Sequence, residues 1–336
     1  MSELTLEPGT STPGRHASDD VVLRVSDLAV RYAAGRGAAV TAVRGVSFDV
    51  RRGEVFGVVG ESGSGKSSIC NALMRMLPNS ARVEATGVEF GGRDLLSLTD
   101  KQMRGIRGTE IALVPQRPMT SLSPTTPVGQ QLRWYFGDSI DDSDVRDSLA
   151  RIGLHSVLGR LDNLPSRFSG GQLQRLLIAI ATLTNRPSLL LADEPTTTLD
   201  ATVQAQVLKL LLGIRDTLGL SIVYVSHDLG VIAQICDRVG VMYGGRLVEV
   251  ATTSDLFHRP QHPYTKALLG AMPARWTPER GRLSTLRGTA AGANRATGCP
   301  FAPRCALADA RCTEEMPAVL GDRTSMVRCH RVEEAT

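Results

Sequence analysis

Alternating and continuous apolar runs open the patterned part of the chain. VVLRVSDLAVRY (21–32), GVSFDV (45–50) and EVFGVVG (54–60) are rich in β-branched residues, lie between turn formers, and read as strands. A Gly-rich turn follows, then KSSICNALMRML (66–77), which reads as a helix. Short strand candidates occupy 83–115 and end in IALVPQ. From Ser121 to Arg167 the pattern is more polar and more helical, with SDVRDSLARIGL (143–154) as an amphipathic helix. Then comes a second alternation: a helix over 171–183, a strand at SLLLAD (188–193), a helix over 201–218 and a strand at SIVYVSH (221–227). Apolar strands between helices predict an α/β fold with a parallel sheet. The polar stretch reads as a helical insert at about 117–167. The alternation ends near Arg246, and residues 272–298, rich in Gly, Ala, Pro and Arg, read as a linker or strap. The expected division is a polar, mobile tail at 1–20, an α/β domain at 21–250, and an extension at 251–336.

Composition narrows the possible classes. With 336 residues, 42% of them apolar, the chain can bury a sizeable core, which excludes global disorder. A formal charge of +4 is too small for a polybasic coat, and no nucleic-acid partner is expected. Aromatics at 4% argue against a broad stacking platform. The N-terminus lacks a signal-peptide core, and the longest apolar run, LLIAIATL (176–183), falls short of the ~18 residues a span needs. A cytosolic chain is expected, with any membrane role exercised through a partner. Cys70 and Cys236 are isolated, whereas Cys299, Cys305, Cys312 and Cys329 crowd the C-terminus. That is not a small disulfide scaffold.

GESGSGKS, Gly60 to Ser67, fits the phosphate-loop pattern, with a strand before it and a helix after it. Gly60, Ser62, Gly63 and Gly65 let the backbone curl so that its N–H groups, with those of Lys66, Ser67 and Ser68, face phosphate oxygens. Lys66 can reach the β- and γ-phosphates, and the Ser67 hydroxyl can ligate Mg²⁺. LLLADEP (189–195) delivers two carboxylates at a strand's carboxyl end. Asp193 is the candidate Mg²⁺ holder and Glu194 the candidate base for the attacking water. Standing alone, the pair would also suit a helix cap.

FSGGQLQR (168–175), VPQ (114–116), DEPTTTLD (193–200) and VSHDL (225–229), in this order with the phosphate loop, resemble the ATP-binding cassette (ABC) ATPases over roughly residues 21–250. The resemblance implies a P-loop cassette with a helical subdomain. It implies that Tyr32 stacks on adenine, although a plain strand aromatic would look the same. Gln116 would sense the γ-phosphate and Mg²⁺. Ser169, Gly170, Gly171 and Gln172 would form the signature that serves the nucleotide of an opposite subunit, and Asp200 would help join the halves. His227 would be the switch histidine; out of this context it would read as structural. Phe168 stands where leucine is usual, and Thr197-Thr198-Leu199-Asp200 replaces the common Ser-Ala-Leu-Asp.

LFHRPQHPYTKALLGAMP (256–273) and GCPFAPRCALADARC (298–312), with VRCH (327–330), resemble the extension of dipeptide, oligopeptide and nickel importer ATPases. That resemblance implies ATP hydrolysis at the cytoplasmic face of a bacterial or archaeal membrane. It also implies two permeases, an extracytoplasmic solute-binding protein, and a second ATPase, either a paralogue or an identical chain. Peptide uptake is the first expectation. Nickel or another small solute, a soluble non-transport ABC ATPase, and a metal-sensing regulator are the alternatives. The cysteine spacing, C-x₅-C-x₆-C-x₁₆-C, is wider than that of common zinc modules. Four thiols can hold a [4Fe–4S] cluster or zinc, or stay unliganded. The resemblance favours the cluster.

Overall fold

The computed structural model describes residues 20–33, 39–136, 142–151, 153–183, 185–272, 288–290, 293 and 297–332. The tail expected at 1–20, except Asp20, and most of the strap expected at 272–298 lie outside the described residues.

Two long antiparallel strands begin the chain, β1 (Val21–Tyr32) and β2 (Val40–Arg51). β3 (Val55–Val59) is buried at every position, as a central strand of a covered sheet must be. α1 (Lys66–Leu73) starts directly after the Gly-rich turn. It is shorter than the expected 66–77, because Met74 closes it and Arg75 turns left-handed at φ 48°. β4 (Ala81–Glu84), β5 (Gly87–Phe90) and β6 (Arg93–Asp94) complete an antiparallel sheet ordered β2-β1-β5-β6, with β4 beside β1. α2 (Asp100–Ile106), capped reciprocally by Thr99 and Gln102, leads to β7 (Ile111–Val114).

The polar middle forms α3 (Val128–Phe136), α4 (Asp142–Arg151) and α5 (His155–Leu158). They share a core with α6 (Gly170–Leu183), in which Leu132, Leu149 and Val157 meet Leu173 and Leu176. The helical insert is thereby built against the helix that resumes the α/β alternation. The order continues as β8 (Leu189–Asp193), α7 (Ala201–Leu218), β9 (Ser221–Ser226), α8 (Leu229–Ile235), β10 (Arg238–Tyr243) and β11 (Arg246–Thr252). α9 (Thr253–His258), α10 (Pro263–Gly270), α11 (Ala310–Glu314), β12 (Leu320–Gly321) and β13 (Met326–Val327) follow.

The main sheet is ordered β12-β13-β11-β10-β3-β9-β8-β7, and it is parallel from β10 to β7. Alternation along β3 sends Phe56 and Val58 into one core and Val55 and Val59 into the other. Each such side chain contributes about 1.5–3 kcal/mol by leaving water. The alternation expected to end near Arg246 instead continues through β11, to which β13 of the extension pairs. The extension is also tied down by Arg323, whose guanidinium donates to Asp49 Oδ1 at 3.0 Å and Ser26 Oγ at 2.9 Å. Among the described residues no helix is long and apolar enough to cross a membrane.

Candidate active site

The carboxyl ends of β3, β8 and β9 converge on one cavity of about 720 Å³, within the range of small-ligand sites. β3 runs straight into the turn Gly60–Gly65. Gly65 has φ 104°, and a Cβ there would lie 2.2 Å from Ala42 O, so no side chain fits. Ser64 Oγ is buried without a hydrogen-bond partner among the described residues. Ser62, Gly63, Gly65, Lys66, Ser67 and Ser68 line the cavity, and the successive N–H groups of such a Gly-rich turn suit a phosphate anion. Lys66 is buried, and its Nζ donates to Gly60 O at 2.8 Å and Glu61 O at 3.1 Å. Burial lowers its pKa, opposed by the charges of Glu194 and Asp193.

β8 brings Asp193 and Glu194 to the same cavity. Ser67 Oγ donates to Asp193 Oδ1 at 2.9 Å. Burial pushes the Asp193 carboxyl up, and the Ser67 hydrogen bond pulls against it. A hydroxyl and one carboxylate beside a phosphate cradle are hard oxygen donors of the kind Mg²⁺ takes together with phosphate. Glu194 sits at φ 47°, rare for a residue with a side chain, and its N–H donates to Val225 O at 3.0 Å. Its Oε2 accepts from Gln116 Nε2 at 3.1 Å and Thr197 Oγ1 at 2.9 Å, and lies 3.0 Å from His227 Nδ1. Its Oε1 is 3.7 Å from Lys66 Nζ. Burial raises the Glu194 carboxyl, but the Thr197 hydrogen bond, Lys66 and His227 together outweigh it, and the net shift is downward. This keeps the carboxylate ionised, as a base must be.

The structure therefore gathers Gly60, Ser62, Gly63, Gly65, Lys66, Ser67, Ser68, Gln116, Glu194 and His227 around one cavity, with Asp193 bonded to Ser67. Thr197 also lines it and escaped the sequence reading, although it lies inside DEPTTTLD. Tyr32 stands beside the loop, its Oη 3.0 Å from Ser68 Oγ, outside the cavity lining. Ser169, Gly170, Gly171, Gln172 and Asp200 are not in the cavity. Ser169 and Gln172 cap α6 reciprocally, at 3.0 and 3.3 Å, and Asp200 caps α7 by accepting from Val203 N–H at 3.0 Å. The two helix starts meet so closely that a Cβ on Gly171 would lie 2.2 Å from Val203 Cγ1. Ser169, Gly170 and Asp200 are exposed and form a second polar patch.

Cys299, Cys305, Cys312 and Cys329 do converge, on a cavity of about 10 Å³, room for one water at most. All four are free thiols, and burial raises the pKa of Cys299, to about 11, and of Cys305 and Cys329. Among the described residues no group of three or more His, Cys, Asp or Glu is placed to hold a metal ion. Among the described residues the four thiols thus show no ready-made site for the expected [4Fe–4S] cluster or for zinc.

Over residues 43–197 the chain matches the ABC transporter family, and over residues 248–312 the C-terminal region of oligopeptide/dipeptide transporters. It is 44% identical to the dipeptide transport ATP-binding protein DppD of Bacillus subtilis, over 84% of this chain and 86% of that protein. The chain belongs to the ABC transporter ATP-binding proteins. Other ABC relatives include a probable peptide transporter ATP-binding protein, y4tR, of Sinorhizobium fredii, 42% identical over 89% of this chain and 91% of that protein. Among solved structures, cbiO1 from Clostridium perfringens, part of an ABC transporter complex, is similar with TM-score 0.60 and 26% identity, over 71% of this chain and 92% of that one. The ABC cassette MJ0796, solved as a dimer bound to ADP and phosphate, is similar with TM-score 0.59 and 25% identity, over 69% of this chain and 98% of that one. The fold is that of an ABC nucleotide-binding domain, and the chain is an ABC ATPase.

Proposed function

We propose that this chain is the ATP-hydrolysing subunit of an importer of di- and oligopeptides. The observation that carries the hydrolytic part is Glu194: one ionised carboxylate held by Gln116, Thr197 and His227 beside Lys66 and the phosphate cradle. The peptide part rests on relatives named for dipeptide and oligopeptide transport.

The reaction is ATP + H₂O → ADP + phosphate. Lys66 leaves the carbonyls of Gly60 and Glu61 for the β- and γ-phosphate oxygens. Ser67 and Asp193, with Gln116, are the Mg²⁺ holders; the ion, when bound, neutralises charge on the phosphates. Glu194 takes the proton of the attacking water, and His227 and Gln116 orient it. Tyr32 supports adenine. The patch of Ser169, Gly170, Gly171, Gln172 and Asp200 lies outside the cavity of its own chain, so a second ATPase, identical or paralogous, presents its signature to this nucleotide. Helix α3 ends in exposed Trp134 and Tyr135, and Met119 is exposed in the same insert. Apolar groups in water at this place suit docking to two permease subunits at the cytoplasmic face of a bacterial or archaeal membrane. A solute-binding protein would deliver peptide from the other side. At a finer level, the four thiols are the proposed ligands of a [4Fe–4S] cluster. Their convergence on one cavity supports this, and iron with acid-labile sulfide in anaerobically isolated protein decides it.

The test is uptake of labelled dipeptides and oligopeptides by cells lacking this chain. The wild-type chain restores uptake and Glu194→Gln does not. Restored nickel uptake with unchanged peptide uptake would move the assignment to the nickel branch.

A further inference from the structure

The phosphate loop carries a carboxylate of its own. Glu61 follows Gly60 in the turn that is to receive a triphosphate, and an unpaired negative charge there would repel it. The partner of Glu61 comes from 243 residues away. Arg304 Nη1 donates to Glu61 Oε1 at 2.9 Å and Oε2 at 3.0 Å, and to Tyr243 Oη at 3.1 Å. The Arg304 side chain is 7% exposed and that of Glu61 27%, so water reaches the pair mainly from the carboxylate side. Glu61 N–H donates to Tyr264 Oη at 3.1 Å, and Tyr264 is fully buried. The same residue is thus held at backbone and side chain by two groups of the C-terminal extension. Their support is rigid. The rings of Tyr243, Tyr264 and Phe301 pack at centroid distances of 4.5 to 5.4 Å. Phe301 leads into a 3₁₀ turn, Ala302–Arg304, closed by the amides of Ala302 on Cys299 O and of Cys305 on Ala302 O.

We propose that Arg304 and Tyr264 are positioning residues of the phosphate loop: through Glu61, the extension neutralises the loop's own charge and fixes its backbone for ATP. The proposal rests on the reading of Gly60–Ser67 as the ATP site and deepens it. It gives the C-terminal extension a part in nucleotide affinity, exerted through Glu61.

The test measures the dissociation constant for MgATP by titration calorimetry, with the purified full chain in a Glu194→Gln background so that ATP persists. Arg304→Met is expected to weaken binding about tenfold, the scale of a charge-assisted hydrogen bond lost beside a partly buried carboxylate. Arg304→Lys recovers part of the loss. Glu61→Gln removes the charge that needs pairing, so the double variant Arg304→Met/Glu61→Gln binds more tightly than Arg304→Met alone, a non-additivity that general loosening of the tail would not produce. Tyr264→Phe, which removes one hydroxyl, weakens binding several-fold and carries the test if Arg304→Met does not fold. Arg323→Met releases the extension from Asp49 and leaves affinity within about twofold. The proposal is overturned by parent-like affinity in the Arg304→Met and Tyr264→Phe variants, by an equal loss in Arg323→Met, or by an undiminished loss in the double variant. ATP binding by the parent keeps the site reading standing whatever Arg304 does.

Discussion

The nucleotide cavity and the thiol cavity differ in the elements that hold them. In the first, every charged group already has a partner: Ser67 on Asp193, and Gln116, Thr197 and His227 on Glu194. These groups stand at the ends of buried parallel strands, so about 720 Å³ stays open between them. In the second, four thiols sit on short turns and a five-residue helix, and they close to about 10 Å³. A site on the ends of a sheet is preorganised by the sheet. A site made of turns has no such frame, and where a metal holds turns together its binding is coupled to folding.

The largest effect expected from breaking this contrast is at Glu194. Glu194→Gln keeps the shape and loses the base, so phosphate release should fall by about 10²–10⁴-fold. ATP affinity should change little, because the carboxylate acts on the water. Turnover within a fewfold of wild type would show that another group activates the water.

His262 gives the next effect, and it belongs to the wall of the thiol cavity. Its Nδ1 accepts from Tyr264 N–H at 3.0 Å and caps α10, and burial drives its pKa from 6.5 down to about 4. Between these values the unfolded chain binds the proton and the folded chain does not. Stability is therefore full above about pH 6.5 and is lost as pH falls towards 4, by up to about 3 kcal/mol. Thermal melting from pH 7 to 4.5 should show this loss, and His262→Asn, which keeps a capping oxygen, should flatten the profile. An unchanged acid limb in that variant would place the linkage elsewhere.

The same contrast explains what could be read from the amino-acid sequence. Gly60–Ser67 and Asp193–Glu194 are contiguous because a strand, a tight turn and a helix must follow one another in the chain. Gln116 and His227 were reached only through resemblance, since a lone polar residue after a strand carries no local signal. Arg304 and Tyr264 were missed because their common partner, Glu61, lies 243 and 203 residues away. The end of α1 at Met74–Arg75 is silent in the sequence, because no Gly or Pro stands there to announce it. β10 and most of β11 are buried on both faces, so they show no alternation that would mark them as strands. The cysteine spacing was visible, but spacing could not say how far apart turns would hold the thiols.

The smallest expected effect bears most directly on the comparison. Cys312 is 7% exposed, its N–H donates to Asp309 Oδ1 at 2.9 Å and its carbonyl accepts from Cys299 N–H at 2.8 Å. Cys312→Ala leaves both backbone bonds in place and removes one sulfur atom from the packing. In metal-free chain this should cost about 1 kcal/mol, the scale of a lost methylene, read as a small shift of the melting temperature. In protein isolated anaerobically, a cluster on the four thiols predicts a cost several times larger, together with loss of iron. If both preparations lose the same small amount, the thiols are packing residues, and the thiol cavity needs no guest to keep its shape. If only the anaerobic preparation shows the large loss, the turns are held by what they bind, and Arg304, on the turn that ends at Cys305, would then connect cluster occupancy to the phosphate loop.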